Sequence, residues 1–215
     1  MNMLKTDAEI LQNMKLLGEP HLAAYQREYE LIAGKLSTAR LLHSLGVAAT
    51  AASLAEKYKA AEPNKAYLAG LCHDIAKEIP KEEMLALVRR SELAEDEGVL
   101  THRVLWHAPA GSVMLADYQA DYTCFDNEIQ NACLWHTLGR PEMTGLEQVV
   151  YVADLIEPGR DFPDITQIRA AAARSLLEGI CACMYGAIDF LEQQGRYVHP
   201  MAYKCYEYYS QILNV

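Results

Sequence analysis

Positive charge is scarce in this chain of 215 residues: 19 lysines and arginines stand against 29 aspartates and glutamates, leaving a formal charge of −10. A broad nucleic-acid-binding surface shows basic clustering, so the charge argues against a nucleic-acid polymer as partner. A small anion remains open, because a metal centre and a few cations reverse the potential locally. Long apolar runs are also missing. Nothing approaches the roughly 20 residues that span a bilayer, and Met1-Asn2-Met3-Leu4-Lys5-Thr6-Asp7 lacks the apolar core of a signal peptide. The expectation is a cytoplasmic protein with no membrane association. No two cysteines stand in CxxC spacing; Cys72, Cys124, Cys133, Cys181, Cys183 and Cys205 read as buried free thiols in a reducing compartment. There is no repeat, low-complexity tract or linker. β-branched residues are sparse.

What is present is helical. Half of the residues are apolar, 51%, with alanine and leucine abundant and the apolar positions spaced for helices, which predicts an all-α fold. The length suits one domain with a substantial core. Residues 1–35 read as an N-terminal helical appendage of two short helices broken at Gly18-Glu19-Pro20, and residues 36–215 as the main domain. A helix is expected from Ser37 to about Tyr58. Pro63 suits the first turn of the next, which runs through Leu71 toward His73-Asp74, with Lys77 one turn on if the helix continues. Pro80 opens another that ends before Gly98, and the acidic stretch from Glu92 to Glu97 reads as a solvated connection. Pro109 begins a fresh helix. Asp126 caps one that Gly139 ends. Thr144-Gly145-Leu146-Glu147 and Ser175-Leu176-Leu177-Glu178 have the form of capping boxes, the first leading to Ile156 and the second to about Gln193. The last helix opens at Pro200. Its tyrosines read as packing residues, with base stacking as the alternative.

The chemistry centres on Ala69-Gly70-Leu71-Cys72-His73-Asp74-Ile75-Ala76-Lys77, where an imidazole and a carboxylate interrupt an apolar run. A carboxylate taken out of water costs several kcal/mol or more unless it is paired, hydrogen-bonded or metal-bound. His43, His107, His136 and Asp154 lie in similar apolar or aromatic settings, which makes four histidines and two aspartates available. His102 competes with His107. The latter is preferred because Pro109 would hold the residues before it in a defined non-helical geometry. His21 reads as a surface residue, and His199 has no evident metal partner. A single histidine on an apolar face is more often a hydrogen-bonded core residue than a ligand; six ordered positions shift that balance toward a metal site.

The order His43, His73-Asp74, Asp154 matches the H…HD…D pattern of the HD-domain phosphohydrolases. The stretches His43-Ser44-Leu45-Gly46-Val47, Trp106-His107-Ala108-Pro109-Ala110-Gly111, His136-Thr137-Leu138-Gly139-Arg140 and Tyr151-Val152-Ala153-Asp154-Leu155-Ile156-Glu157-Pro158-Gly159-Arg160 resemble the YqeK family in particular, over roughly residues 36–212. The resemblance implies an HD-domain helical bundle with a dinuclear, usually iron, centre that cleaves diadenosine tetraphosphate symmetrically into two ADP. Carried onto this chain, His43, His73, Asp74 and Asp154 would hold one metal, and Asp74, His107 and His136 the other, with Asp74 bridging. Imidazole and carboxylate ligands suit iron, manganese, cobalt, nickel or zinc better than magnesium. Two such ions about 3.5–4 Å apart acidify a shared water to near neutrality and so supply a hydroxide nucleophile.

For phosphoryl transfer the protein must chiefly align and neutralise charge. Lys77, Arg140 and Arg160 stand near the proposed ligands as candidates for gripping phosphate oxygens, with Arg40 a weaker one; Asp74, Lys77 and Arg140 are the catalytic candidates. His107 also lies beside the expected substrate, and Ser44 and Thr137 are possible hydrogen-bond donors to it. The bland reading of each cation is a surface charge. Two other functions compete: an HD-type nucleotide phosphatase of different specificity, and a metal-bound nucleotide-binding module without turnover. The GYP triplet and adjacent histidine pair expected of cyclic-dinucleotide hydrolases are absent. Metal identity, adenine-versus-guanine preference and oligomeric state, a homodimer included, stay open.

Overall fold

The computed structural model describes residues 19–213, which contain helices and turns and no strand. The first expected N-terminal helix, over residues 10–17, lies outside the described residues. The helices are α1 Glu19–Leu22, α2 Gln26–Ala33, α3 Thr38–Tyr58, α4 Pro63–Cys72, α5 Lys81–Val88, α6 Glu97–Thr101, α7 His107–Tyr118, α8 Asn127–Trp135, α9 Gly145–Ile156, α10 Ile165–Arg174, α11 Leu176–Gln193 and α12 Pro200–Leu213. None is long and apolar enough to cross a membrane.

Local chemistry accounts for five of the helix starts. The Ser37 hydroxyl accepts from the Arg40 N–H at the start of α3, while its own N–H and O–H donate to Glu78 at 2.6 and 2.8 Å. Pro63 opens α4, where Glu62 accepts from the Lys65 N–H. Both expected capping boxes supply their caps: Thr144 accepts from the Glu147 N–H and Ser175 from the Glu178 N–H. Asp126 caps α8 through the N–H groups of Glu128 and Ile129.

Four boundaries differ from the sequence reading. α4 stops at Cys72, and residues 73–78 continue in tight turns, with the Ile75 N–H bonded to the Cys72 carbonyl and the Lys77 N–H to that of Asp74. The same i to i+3 turn keeps Lys77 beside Asp74 without an α-helix. α5 ends at Val88, before Gly98 as expected, whereas α8 ends at Trp135 and gives way to a turn over residues 136–138, short of Gly139. The acidic stretch then supplies a helix cap rather than a solvated link, because Asp96 accepts from both the Val99 N–H and His199 Nε2, and α6 follows with Gly98 inside it. α7 begins at His107, with its preceding residue already in helical geometry, so Pro109 sits inside the first turn and imposes no non-helical geometry on His107.

The core is organised on α3, α4 and α9. α9 packs against α3, α4, α8 and α11; α7 packs between α5 and α8; α10 pairs with α11, and α12 lies on α11. α2 also reaches α3 and α4, bringing Tyr29 and fully buried Ile32 into the core. Alanines at 48, 51, 52, 55, 66 and 69 are buried on α3 and α4, which lets two backbones approach closely. The closest point is Gly70: a Cβ there would lie 2.7 Å from Ala48 Cα and 2.8 Å from its nitrogen. All six cysteines are free, five of them buried. His21 is partly buried, bonded to Asn64 at 2.6 Å and stacked on Tyr67, in place of the surface position expected.

Because the atoms facing Gly70 are backbone, an added methyl group has no flexible neighbour to displace. Gly70→Ala is expected to destabilise the protein by about 1–3 kcal/mol, the usual penalty of overpacking, read from its urea midpoint at unchanged slope.

Candidate metal centre

Five separate segments bring the six expected residues together. His43 lies in the second turn of α3, His73 and Asp74 in the turn that follows α4, His107 at the first position of α7, His136 just past α8, and Asp154 near the end of α9. His73, Asp74, His107 and His136 are buried. Asp74 stands between two pairs of imidazoles. Its Oδ2 is 3.5 Å from His73 Nε2 and 3.9 Å from His43 Nε2; its Oδ1 is 3.5 Å from His107 Nε2 and 3.7 Å from His136 Nε2. Asp154 Oδ1 closes the first side at 3.0 Å from His43 Nε2 and 3.7 Å from His73 Nε2.

The orientation of every ring is set from behind. Nδ1 of His73 donates to the Gly70 carbonyl at 2.7 Å, that of His107 to Val104 at 3.0 Å, and that of His136 to Cys133 at 2.6 Å. Nδ1 of His43 faces Glu157 Oε1 at 3.1 Å. A carbonyl or carboxylate only accepts, so Nδ1 carries the proton; Nε2 of His73, His107 and His136 presents a lone pair to the centre, and that of His43 does so once a cation displaces the proton it shares with Asp154. Of these inward atoms, His43 Nε2, His73 Nε2 and Asp74 Oδ1 are buried without a hydrogen-bond partner. A buried polar atom left so is costly, and these lie on both sides of Asp74, the two imidazole nitrogens on one side and Oδ1 on the other, where cations would satisfy them.

Spacing agrees. Bonds of about 2.0–2.2 Å to nitrogen and oxygen place neighbouring ligands about 3–4 Å apart. His43, His73 and Asp154 form one group with all ligand atoms within 4.8 Å of one another, and His73, Asp74 and His136 form a second; His107, expected with Asp74 and His136, falls in neither group and lies 3.5 Å from Asp74 Oδ1.

Electrostatics divides the site. Burial pushes His43 down, but the Asp154 and Glu157 carboxylates outweigh it and raise its pKa. His107 is held well below the ordinary imidazole value by burial and by the neighbouring Lys77 charge, and burial lowers His136 as well. Burial opposes ionisation of Asp74 and Asp154, yet the surrounding imidazoles, and for Asp154 also Arg160, keep both well below the usual carboxylate range.

The candidate phosphate contacts fall into two sets. Arg40 Nη1 meets Asp74 Oδ2 at 2.9 Å, Arg160 Nη2 meets Asp154 Oδ1 at 2.5 Å, and Lys77 Nζ lies 2.9 Å from His107 Nε2 and 3.4 Å from Asp74 Oδ1. These three side chains remain 30–35% exposed, so each faces both the centre and solvent. The Thr137 hydroxyl is 3.0 Å from His107 Nε2 and 3.1 Å from that of His136. Arg140 and Ser44 are placed otherwise. Nε and Nη2 of Arg140 fork onto buried Glu147 at 2.8 and 2.6 Å, and Ser44 is fully buried. The rejected histidines are also accounted for: His102 stacks on Tyr197 and His199 pairs with Asp96.

Two residues of the site were not singled out from sequence. Glu157, three positions after Asp154, is the partner of His43 Nδ1, and its other oxygen accepts from the Gly159 N–H. Its i, i+3 spacing to Asp154 was the available signal. Arg169, on α10, donates through Nε to the Ile156 carbonyl at 3.0 Å and through Nη2 to those of Glu157 and Arg160 at 2.7 and 3.0 Å. It clamps the turn that carries Glu157 and Arg160. Its partners are backbone atoms, which leave no mark in a side-chain pattern.

A family model for the HD domain matches residues 40–159, which contain all six residues of the cluster. A Bacillus subtilis protein named bis(5'-nucleosyl)-tetraphosphatase, symmetrical, is 37% identical over 175 residues, covering 81% of this chain and 91% of that one. This chain belongs to the HD-domain hydrolases, in the group that holds these tetraphosphatases. A Staphylococcus aureus protein of the same name is 36% identical over 82% of this chain and 89% of its own. In three dimensions the HD-domain chain is similar to a Clostridium acetobutylicum protein described as a predicted HD superfamily hydrolase involved in NAD metabolism. The TM-score is 0.78 at 30% identity, over 87% of this chain and 97% of that one. HD-domain hydrolases bind divalent metals, and the His/Asp cluster of this chain has the donor set to do so.

In the metal-free protein His43 keeps its proton to a higher pH than a free imidazole, and a cation must displace that proton. Metal uptake should therefore release protons, and affinity should rise as pH increases from about 6 to about 8, up to about tenfold per unit below the raised pKa. Metal titrations at the two pH values in two buffers check this. Arg169→Ala should weaken metal binding by about 10- to 100-fold in competition with a chelator, the usual effect of removing outer support from a ligand.

Proposed function

We propose that this chain is a metal-dependent hydrolase that splits diadenosine tetraphosphate symmetrically into two ADP, with two divalent ions, iron by preference, in the centre. The observation that carries the reading is the placement of Asp74, whose two oxygens each face a separate pair of imidazoles. Its support from relatives is the shared name of proteins that cover most of this chain at 33–37% identity. Six free thiols are in keeping with a reducing, cytoplasmic location.

His43, His73, Asp74 and Asp154 would hold one ion, and Asp74, His107 and His136 the other. When bound, such a pair acidifies a water and neutralises phosphate charge. The residues do the rest. Symmetric hydrolysis breaks the bond between the phosphorus second from one adenosine and the oxygen bridging to the third. The water oxygen forms the new bond to phosphorus, and the bridging oxygen leaves on ADP. Negative charge therefore gathers along the polyphosphate, and fixed cations that need no rearrangement stabilise it best. Arg40 and Arg160 stand at the Asp154 side and Lys77 at the His107 side, so an extended chain of phosphates crossing the centre meets a cation at each end. The Thr137 hydroxyl lies 3.0 and 3.1 Å from Nε2 of His107 and His136, and with those lone pairs given to metal its single proton is free for a phosphate oxygen.

Chromatography of the products decides the cleavage position: ADP alone is expected, whereas ATP with AMP rules out symmetric attack. Asp74→Ala should lower turnover by more than about 100-fold, beyond the usual effect of losing outer support, and reduce bound metal in the same preparation. Lys77→Ala should retain metal yet lose about 10²–10³ in kcat, as when one fixed donor to developing charge is removed.

A further inference from the structure

A cavity of about 230 Å³ opens beside the centre, lined by Lys77, Met84, Arg103, Val104 and His107. Lys77 and His107 belong to the centre already described; Met84, Arg103 and Val104 have no part in it. Val104 is 60% exposed, a large apolar side chain turned outward at the edge of a polar site. Arg103 is exposed and makes no ion pair among the described residues.

The turn that presents both is held firmly. The Leu105 N–H bonds to the His102 carbonyl at 2.9 Å and the Trp106 N–H to that of Arg103 at 3.0 Å. His102 stacks on Tyr197 with ring centroids 3.6 Å apart and planes within 4°, and its Nδ1 donates to the Gly98 carbonyl at 2.8 Å. Gly98 permits this approach, because a Cβ there would lie 2.5 Å from the Tyr197 hydroxyl. The Val104 carbonyl in turn orients His107. The backbone that carries an exposed valine and an unpaired arginine is thus held in place relative to the centre. A concave site with apolar walls and a few placed polar groups is the usual form of a small-ligand seat.

We infer that this cavity seats one nucleoside half of the dinucleotide, its purine ring against Val104 and Met84 and its nearest phosphate on Arg103. The assignment rests on the proposed function for its substrate. Lys77 then lies on the polyphosphate between Arg103 and the centre, and the other half extends past Arg40 and Arg160.

The test uses the full chain loaded with metal, and reads ADP and inorganic pyrophosphate binding by calorimetry together with steady-state hydrolysis of diadenosine tetraphosphate. Val104→Ser should weaken ADP binding roughly fivefold, the worth of one apolar contact of this size, and leave pyrophosphate unchanged. Arg103→Ala should weaken both. In each variant KM for the dinucleotide should rise while kcat, metal content and melting temperature hold. Unchanged ADP affinity in Val104→Ser, equal loss of ADP and pyrophosphate in that variant, or no ADP binding by the unaltered protein overturns the seat. ADP binding that depends on Val104 without any turnover keeps the seat and sinks the activity. Turnover with an unchanged KM in Val104→Ser does the reverse.

Discussion

A carboxylate buried among four imidazoles sets the terms for this molecule. Asp74 is 2% exposed, and removing such a charge from water costs several kcal/mol unless partners compensate. The chain compensates on both sides, with one oxygen toward His43 and His73 and the other toward His107 and His136, and with Arg40 and Lys77 at the rim. Everything else in the domain holds those partners in register. Imidazoles anchored through Nδ1 with Nε2 turned inward, and a carboxylate held ionised, make a strong donor set for a divalent cation and a poor resting place for hydrocarbon.

That register depends on backbone more than on side chains. Three of the four rings are oriented by carbonyls of Gly70, Val104 and Cys133, each three residues before the histidine it fixes. A histidine at the end of a helix or in a tight turn reaches back to such a carbonyl without distortion, which is why His73 and His136 stand just past helix ends and His107 at a helix start. The close contact at Gly70 couples this arrangement to the packing of α3 and α4, so the small residues of the core and the geometry of the site are one requirement. His43 is the exception. Its ring is fixed by Glu157, whose position depends on a turn clamped by Arg169 from another helix.

The six cluster residues were legible in the chain because each places a polar group in an apolar run, which is rare without a purpose. The helix caps were legible because capping chemistry is local. The end of α4 was not, since an i to i+3 turn and an α-helix bury the same apolar positions over a few residues. His107 was found for a reason the structure corrects: Pro109 lies within the helix, and it is the Val104 carbonyl that holds the ring. Arg140 illustrates the limit of proximity in sequence, for it stands four residues from His136 and spends two donors on Glu147.

Composition, capping and the ordered polar interruptions were sufficient by themselves to determine an all-helical domain and to name the residues gathered at its centre, because those signals are carried by each residue and its near neighbours. Only the tertiary structure decided which imidazole faces which oxygen of Asp74, which cations remain open to a substrate, and that Glu157 and Arg169 support the site. Those choices depend on distances between segments far apart in the chain, and on backbone carbonyls that are the same chemical group at every position.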